Sequence, residues 1–289
     1  KIVISTGVVT TLAGSSSGST DATGTSAKFN TPRDITTDGT NLYVADQFNH
    51  KIRKIVISTG VVTTLAGSSS GSTDATGTSA KFNEPWGIAT DGTNLYVADK
   101  ETHKIRKIVI STGVVTTLAG SGVYGNTDAT GTSAEFYYPR GITTDGTNLY
   151  VSDITNHRIR KIVISTGVVT TLAGSSSGST DATGTSAEFY FPRDITTDGT
   201  NLYVADRNNH LIRKIALRET ETANLTLHNL DDDLNVTVNV ASSNTSEATV
   251  SPATLTFAQT NWQTNQTVTL TGVDDSDSDG HQGYGISLT

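Results

Sequence analysis

Apolar residues along this chain fall in short bursts of alternation, not at helical spacing. In residues 34–46, DITTDGTNLYVAD, two β-rich runs flank the turn dipeptide Asp38-Gly39, which is the pattern of a hairpin. From His50 a run in which Lys and Ile alternate, HKIRKIVIST, reaches Gly60 and leads into VVTTLAG. The pattern predicts four short strands joined by tight turns, with no 3.6-residue period in the segment. A Gly/Ser/Thr stretch, GSSSGSTDATGTSA, follows at residues 67–80 and has the composition of a returning loop.

This unit recurs. KIVISTGVVTTLAG begins at Lys1, Lys54, Lys107 and Lys161, with an echo (KIAL) at Lys214, at spacings of 53, 53, 54 and 53 residues. A fixed period of that size marks a repeat architecture, and four-stranded antiparallel units repeated radially are the blades of a β-propeller. The chain begins at the third strand of a repeat, and its propeller portion, residues 1–217, ends at the same strand. Four blades are therefore expected, with the N-terminal strand at Gly7–Gly14 closing the last one and removing an open sheet edge. The alternative is a larger ring with further blades upstream.

The wording of the repeat resembles the NHL repeat: Phe-x-x-Pro, a strand, Asp-x-Gly, a Tyr-Val-x-Asp strand, Asn-His, and an Ile-Arg-Lys-Ile strand. The first copy supplies Phe29, Pro32, Asp38, Gly39, Tyr43, Asp46, Asn49, His50, Ile52 and Arg53. The others match at Phe82, Pro85, Tyr96, Asp99, His103 and Arg106; at Phe136, Pro139, Tyr150, Asp153, His157 and Arg160; and at Phe189, Pro192, Tyr203, Asp206, His210 and Arg213. Repeat two departs from the pattern with Thr102 before its His. The resemblance implies an all-β, NHL-type propeller. It leaves function open, because such propellers include enzymes, RNA binders and extracellular sensors.

Charge divides the chain. Through Arg218 there are 20 basic and 18 acidic side chains; beyond it there are ten acids and no base. A nearly neutral propeller lacks the basic stripe that nucleic acid needs, so no nucleic-acid partner is expected. With no Cys there is neither a disulfide framework nor a thiolate site. No run of 18 apolar residues predicts a membrane span. Without Met, the chain reads as a segment of something longer.

Residues 218–289 read as short strands, and SPATLTFAQTNWQTNQTVTLTGVDD resembles the Ig-like or Calx-β-like modules of bacterial surface proteins, which implies a β-sandwich. Asp275, Asp277 and Asp279 have the carboxylate spacing that begins a Ca²⁺ loop, but Ile286 stands where a bidentate Glu would be expected. A tentative calcium site and a plain acidic turn both stay open there. No other cofactor is expected.

Comparison of the copies separates scaffold from surface. Repeats one and two differ at seven positions: Thr31/Glu84, Arg33/Trp86, Asp34/Gly87, Thr36/Ala89, Gln47/Lys100, Phe48/Glu101 and Asn49/Thr102. Six of these lie at the start of the first strand or between the second and third strands, which share one face of a blade. That face is the candidate binding site: Arg33, Asp34, Phe48, Trp86, Lys100, Tyr137, Tyr138, Arg140, Tyr190, Arg193 and Arg207. Aromatics mixed with Arg suit a sugar ring or an extended peptide. Tyr124, in an insertion confined to repeat three, is a further candidate contact.

The fourfold His50, His103, His157 and His210 are expected to be structural, bonded to the Asp four residues earlier. Asp21, Asp74, Asp128 and Asp181 are expected to shape the long loops. Groups copied identically in every blade lack the asymmetry that catalysis requires. The reading is therefore a non-enzymatic, extracellular or cell-surface bacterial protein, an adhesin or filament component that binds protein or glycan, with self-assembly through the C-terminal module as a further expectation. The alternative is an NHL-type lyase or hydrolase with a metal in the central channel.

Overall fold

The computed structural model describes residues 2–217, 220–225, 236–242, 248–258, 264, 266–272 and 286–288. Contacts divide the chain into two compact units, Lys1–Lys214 and Ile215–Thr289. The first is an NHL-type four-bladed β-propeller. After a short hairpin of β1 (Ile2–Val3) and β2 (Val8–Val9), blade one comprises β3 (Pro32–Thr37), β4 (Asn41–Asp46), β5 (Lys51–Val56) and β6 (Val62–Ala66). Blade two holds β7 (Pro85–Thr90), β8 (Asn94–Asp99), β9 (Lys104–Val109) and β10 (Val115–Ala119). Blade three holds β11 (Pro139–Thr144), β12 (Asn148–Asp153), β13 (Arg158–Val163) and β14 (Val169–Ala173). Blade four has three strands: β15 (Pro192–Thr197), β16 (Asn201–Asp206) and β17 (Leu211–Ala216).

The turns follow from their residues. In the first hairpin Asp38 accepts the amides of Thr40 and Asn41 through one carboxylate oxygen and the Tyr43 hydroxyl through the other, at 2.7–2.8 Å. The first strands of all four blades line a common channel of about 300 Å³. Their spacing is set by the position that reads Asp34, Gly87, Gly141, Asp194: a Cβ built on Gly87 would lie 2.1 Å from the Arg140 carbonyl oxygen, and one on Gly141 would lie 2.7 Å from the Asp194 Cα. Glycine there permits close approach of neighbouring strands. Asp34 instead reaches across the first interface, accepting the Ile88 amide at 2.8 Å.

Each blade buries one buried arginine. Arg53 donates to Asp46 (2.8 Å), to Asp21 of the preceding loop (2.5 Å), and to the carbonyls of Lys28 and Thr20, with its guanidinium 5.0 Å from the Phe29 ring centroid. Asp21 also accepts the amide and hydroxyl of Thr64 in β6. The loop acids are therefore latches that fasten the linker to the outermost strand. Arg106, Arg160 and Arg213 repeat the clamp with Asp99 and Asp74, Asp153 and Asp128, and Asp206 and Asp181.

One departure changes what surrounds a buried carboxylate. Asn49, Asn156 and Asn209 each donate a side-chain amide to the buried Asp of their blade, whereas Thr102 bonds to the Asp99 carbonyl oxygen and offers the carboxylate no such amide. Burial pushes the Asp99 carboxyl up to about 7, against the pull of Arg106, and Asp153 to about 6. Between the ordinary carboxylate pKa of 3.8 and about 7 the folded state holds a proton that the unfolded state has lost. This group therefore makes stability fall as pH rises through that window. Thr102→Asn adds a donor to the ionised form and should raise stability by about 1 kcal/mol at pH ~8 and by little below pH ~4. Thermal melts at the two pH values check it, and equal gains at both would contradict the account.

The seam between blades four and one departs from expectation. The N-terminal strand does not close the last blade: β1 pairs with β2, and β17 is the outer strand of blade four. Two local facts explain this. Residues Thr220–Leu225, which stand where blades one to three have their fourth strand, form β18 and pair with β22 (Gln266–Gly272) of the C-terminal unit. The N-terminal segment is held on blade one, where Leu12 and Ala13 pack with Phe29 against Ala27, Val44, Ile55 and Val62. β3 packs beside β7, β7 beside β11 and β11 beside β15, but no comparable packing joins β15 to β3 among the described residues. Ile35 is accordingly 54% exposed where Ile88 is 3%, and Ile212 is 76% exposed where Ile105 is 0%. An apolar cleft of about 730 Å³, lined among others by Leu12, Phe29, Ile35, Leu42, Val44 and Ile55, marks the uncovered face of blade one.

In the second unit β18, β22 and β20 (Ala248–Ser251) form one antiparallel sheet, and β21 (Thr254–Phe257), β19 (Val236–Ser242) and β23 (Ile286–Leu288) form another. Among the described residues Val238, Val240, Leu255, Phe257 and Val268 are its buried apolar side chains. Asp275, Asp277 and Asp279 lie outside the described residues.

Candidate functional site

The variable residues divide into two groups. The first is a collar at one mouth of the channel. The residue after the Pro that opens each first strand is Arg33, Trp86, Arg140 or Arg193, so the fold gathers three arginines and one tryptophan around the axis. The Arg33 guanidinium lies 4.2 Å from the Trp86 ring centroid, that of Arg140 4.4 Å and that of Arg193 5.3 Å, with the Lys100 ammonium at 5.6 Å. Contacts of this kind hold cations by the ring quadrupole. Trp86 is thus the post on which the guanidinium groups are stacked, not a bare platform for a sugar.

The charges of this collar are unequal in their pairing. Lys100 is neutralised by Glu84 at 2.9 Å and Glu101 at 2.5 Å, and Gln47 donates to Glu84 at 2.7 Å while accepting from Arg33 Nε. Arg33, Arg140, Arg193 and Arg207 have no carboxylate within salt-bridge range among the described residues, and Arg140 Nε is buried without a hydrogen-bond partner. Burial, then repulsion from Arg193, Arg207 and Arg33, lowers the Arg140 pKa; burial, then Arg207 and Arg33, lowers that of Arg193. Beside them is a cavity of about 440 Å³ lined by Arg33, Trp86, Arg193, Arg207, Asp34, Asp194, Leu211 and Ile212 among others. Asp34 accepts the amides of Ile35 and Ile88, and Asp194 that of Ile195.

The second group packs around the histidines. Tyr137 and Tyr138 lie 5.8 and 5.0 Å from the His103 ring, and Tyr124 of the insertion stacks 5.0 Å from Tyr137. Tyr190 and Phe191 lie 5.7 and 4.8 Å from His157. The expected bond between each His and the Asp four residues earlier is not the one formed. His50, His103 and His157 accept, through Nδ1, the amides of Glu84, Tyr138 and Phe191 of the next blade at 3.2–3.3 Å, while the aspartates are occupied by the arginine clamp. Each donor precedes the Pro and has a left-handed φ of 54–56°. Burial lowers the pKa of these three histidines, which keeps Nδ1 an acceptor. The histidine role is structural, as expected, with a different partner. Phe48 is exposed on the loop beside Gln47.

The architecture is that of an NHL-type β-propeller, and comparison with known proteins agrees. Residues 82–108 and 189–215 match the family model of the NHL repeat. Protein SUPPRESSOR OF QUENCHING 1, chloroplastic, of Arabidopsis thaliana is 31% identical over 242 residues, covering 75% of this chain and 23% of that protein. NHL repeat-containing protein 2 of Gallus gallus is 29% identical over 246 residues, covering 72% of this chain and 34% of the relative. The chain thus spans about a third or less of the length of these curated relatives. Among solved structures, an auxiliary nutrient binding protein from Bacteroides thetaiotaomicron superposes with a TM-score of 0.54 at 19% identity, over 70% of this chain and 55% of that one. That likeness is one of fold.

Proposed function

We propose that this chain is a non-enzymatic recognition module whose Arg/Trp collar holds a glycan or protein ligand, within a larger extracellular or cell-surface protein. The observation that carries the reading is the asymmetry of the blades. Of the residues that vary between copies, Arg33, Trp86, Arg140 and Arg193 converge on one channel mouth, while the repeated His, Asp and Arg that could do chemistry are committed to holding the scaffold together. A rigid scaffold displaying variable residues at one end is the arrangement of a binding protein. The auxiliary nutrient binding protein that shares the fold is named for such a role. The C-terminal unit acts as a spacer in this reading.

Removing Trp86 and Arg140 together, by W86A/R140A, takes away the post and its most buried guanidinium. The intact chain should retain ligands on an array of glycans and peptides, and the double variant should retain none of them at the same concentration. Undiminished retention with an unchanged melting temperature would remove this face from consideration.

A further inference from the structure

From the charge pairing at the collar we infer that the ligand is an acidic saccharide, one carrying uronate or sulfate groups. This rests on the recognition reading above and gives it a ligand class. Arg33, Arg193 and Arg207 line one cavity, and Arg140 stacks on Trp86 of its wall; among the described residues none of the four has a carboxylate in salt-bridge range, while the neighbouring Lys100 has two. Like charges gathered in a partly buried site repel one another, and the arrangement gains only when an anion enters. Of the three carboxylates in the cavity wall, Asp206 is paired with Arg213, while Asp34 and Asp194 accept backbone amides, and Asp194 offsets the charge of Arg193 only from beyond salt-bridge range.

Guanidinium groups bind planar carboxylates and tetrahedral sulfates through paired N–H donors. Holding them by stacking on Trp86 fixes their planes in advance, so less freedom is lost on binding. The size of the cavity, about 440 Å³, lies within the range of small-ligand sites. A saccharide fits better than an acidic peptide because exposed aromatic residues stand on segments that flank the collar: Phe48 follows Gln47, which accepts from Arg33, and the Tyr190 carbonyl accepts the amide of Asn208, the residue after Arg207. Such rings accept the apolar C–H faces of a sugar, and a run of acidic side chains has no use for them.

The test measures binding of the whole chain by calorimetry to four probes: an oligogalacturonate hexamer, a sulfated heparin hexasaccharide, neutral maltohexaose and a poly-glutamate peptide. One or both acidic saccharides should bind, more weakly as salt rises, and the pair shows whether carboxylate or sulfate is preferred. R140A/R193A should lower that affinity by about tenfold to a hundredfold per arginine, with its melting temperature unchanged. K28A/K81A, which removes the same charge from the linkers, should leave affinity as it was. Binding of maltohexaose as tightly as the acidic hexamers would overturn the acidic class and leave glycan recognition standing. So would acidic binding that is indifferent to R140A/R193A. Tighter binding of poly-glutamate would replace saccharide with peptide. If none of the four probes binds, the acidic-saccharide assignment falls; if the array of glycans and peptides also retains nothing, the recognition reading falls with it.

Discussion

Arg106→Met should cost about 3–5 kcal/mol of folding stability, the loss seen when one member of a buried ion pair is removed. The guanidinium is fully buried and donates to Asp99, to Asp74, and to the carbonyls of Lys81 and Thr73. A methionine fills much of the volume but leaves Asp99 without its counter-ion, takes the guanidinium donor from the Lys81 carbonyl, and leaves the Thr73 carbonyl with the Lys81 amide as its donor. It also frees Asp74, which through the same carboxylate holds the linker to Thr117 of β10. Urea unfolding of the first unit's signal measures the loss. Arg106→Met combined with Asp99→Asn should recover part of it, since no unpaired charge is then left buried. The equivalent change in the last blade, Arg213→Met, should cost less. Its latch partner Asp181 is 93% exposed where Asp74 is 44%, and among the described residues blade four has no fourth strand for the latch to hold. A cost below about 1 kcal/mol for Arg106→Met would show that the clamp is dispensable.

The clamp also shows where sequence reading stops. Strand alternation, the Asp-Gly turns and the period are local signals, and they place the strands of blades one to three with little error. Arg53 and its copies sit in an Ile-Arg-Lys-Ile strand, where a charged residue reads as solvent-facing. Burial was concealed because the partner Asp21 lies 32 residues away, in a segment whose composition reads as loop. The constant offset between the loop Asp and the strand Arg in every copy was the available signal. The histidines were assigned a role correctly and a partner wrongly for a related reason, since the amide they accept belongs to the next blade, 34 or 35 residues on. Comparing copies found Arg33, Trp86, Arg140 and Arg193, but whether they touch depends on the radius of the ring. That radius is set by Gly87 and Gly141, where a side chain would meet the neighbouring backbone.

The open seam gives the last prediction, because it places one residue type in two environments at equivalent positions. Ile105 in β9 is fully buried in the cluster with Tyr96, Phe136, Ile142 and Leu149, between blades two and three. Ile212 occupies the same place in β17 and faces the gap that no blade covers, 76% exposed. Ile105→Ala removes buried methyl groups and leaves a cavity, at a cost of about 2–5 kcal/mol. Ile212→Ala removes groups already in water and should change stability by less than about 0.5 kcal/mol. The sequence alone would assign both the same role. If chemical denaturation finds the two equally damaging, blade four meets blade one in solution and the ring is closed. If Ile212→Ala is silent, the fourth interface is absent: the contacts that bury Tyr43, Ala45 and Ile52 at the first have no counterpart there, and His210 lacks the neighbouring amide that His50, His103 and His157 accept.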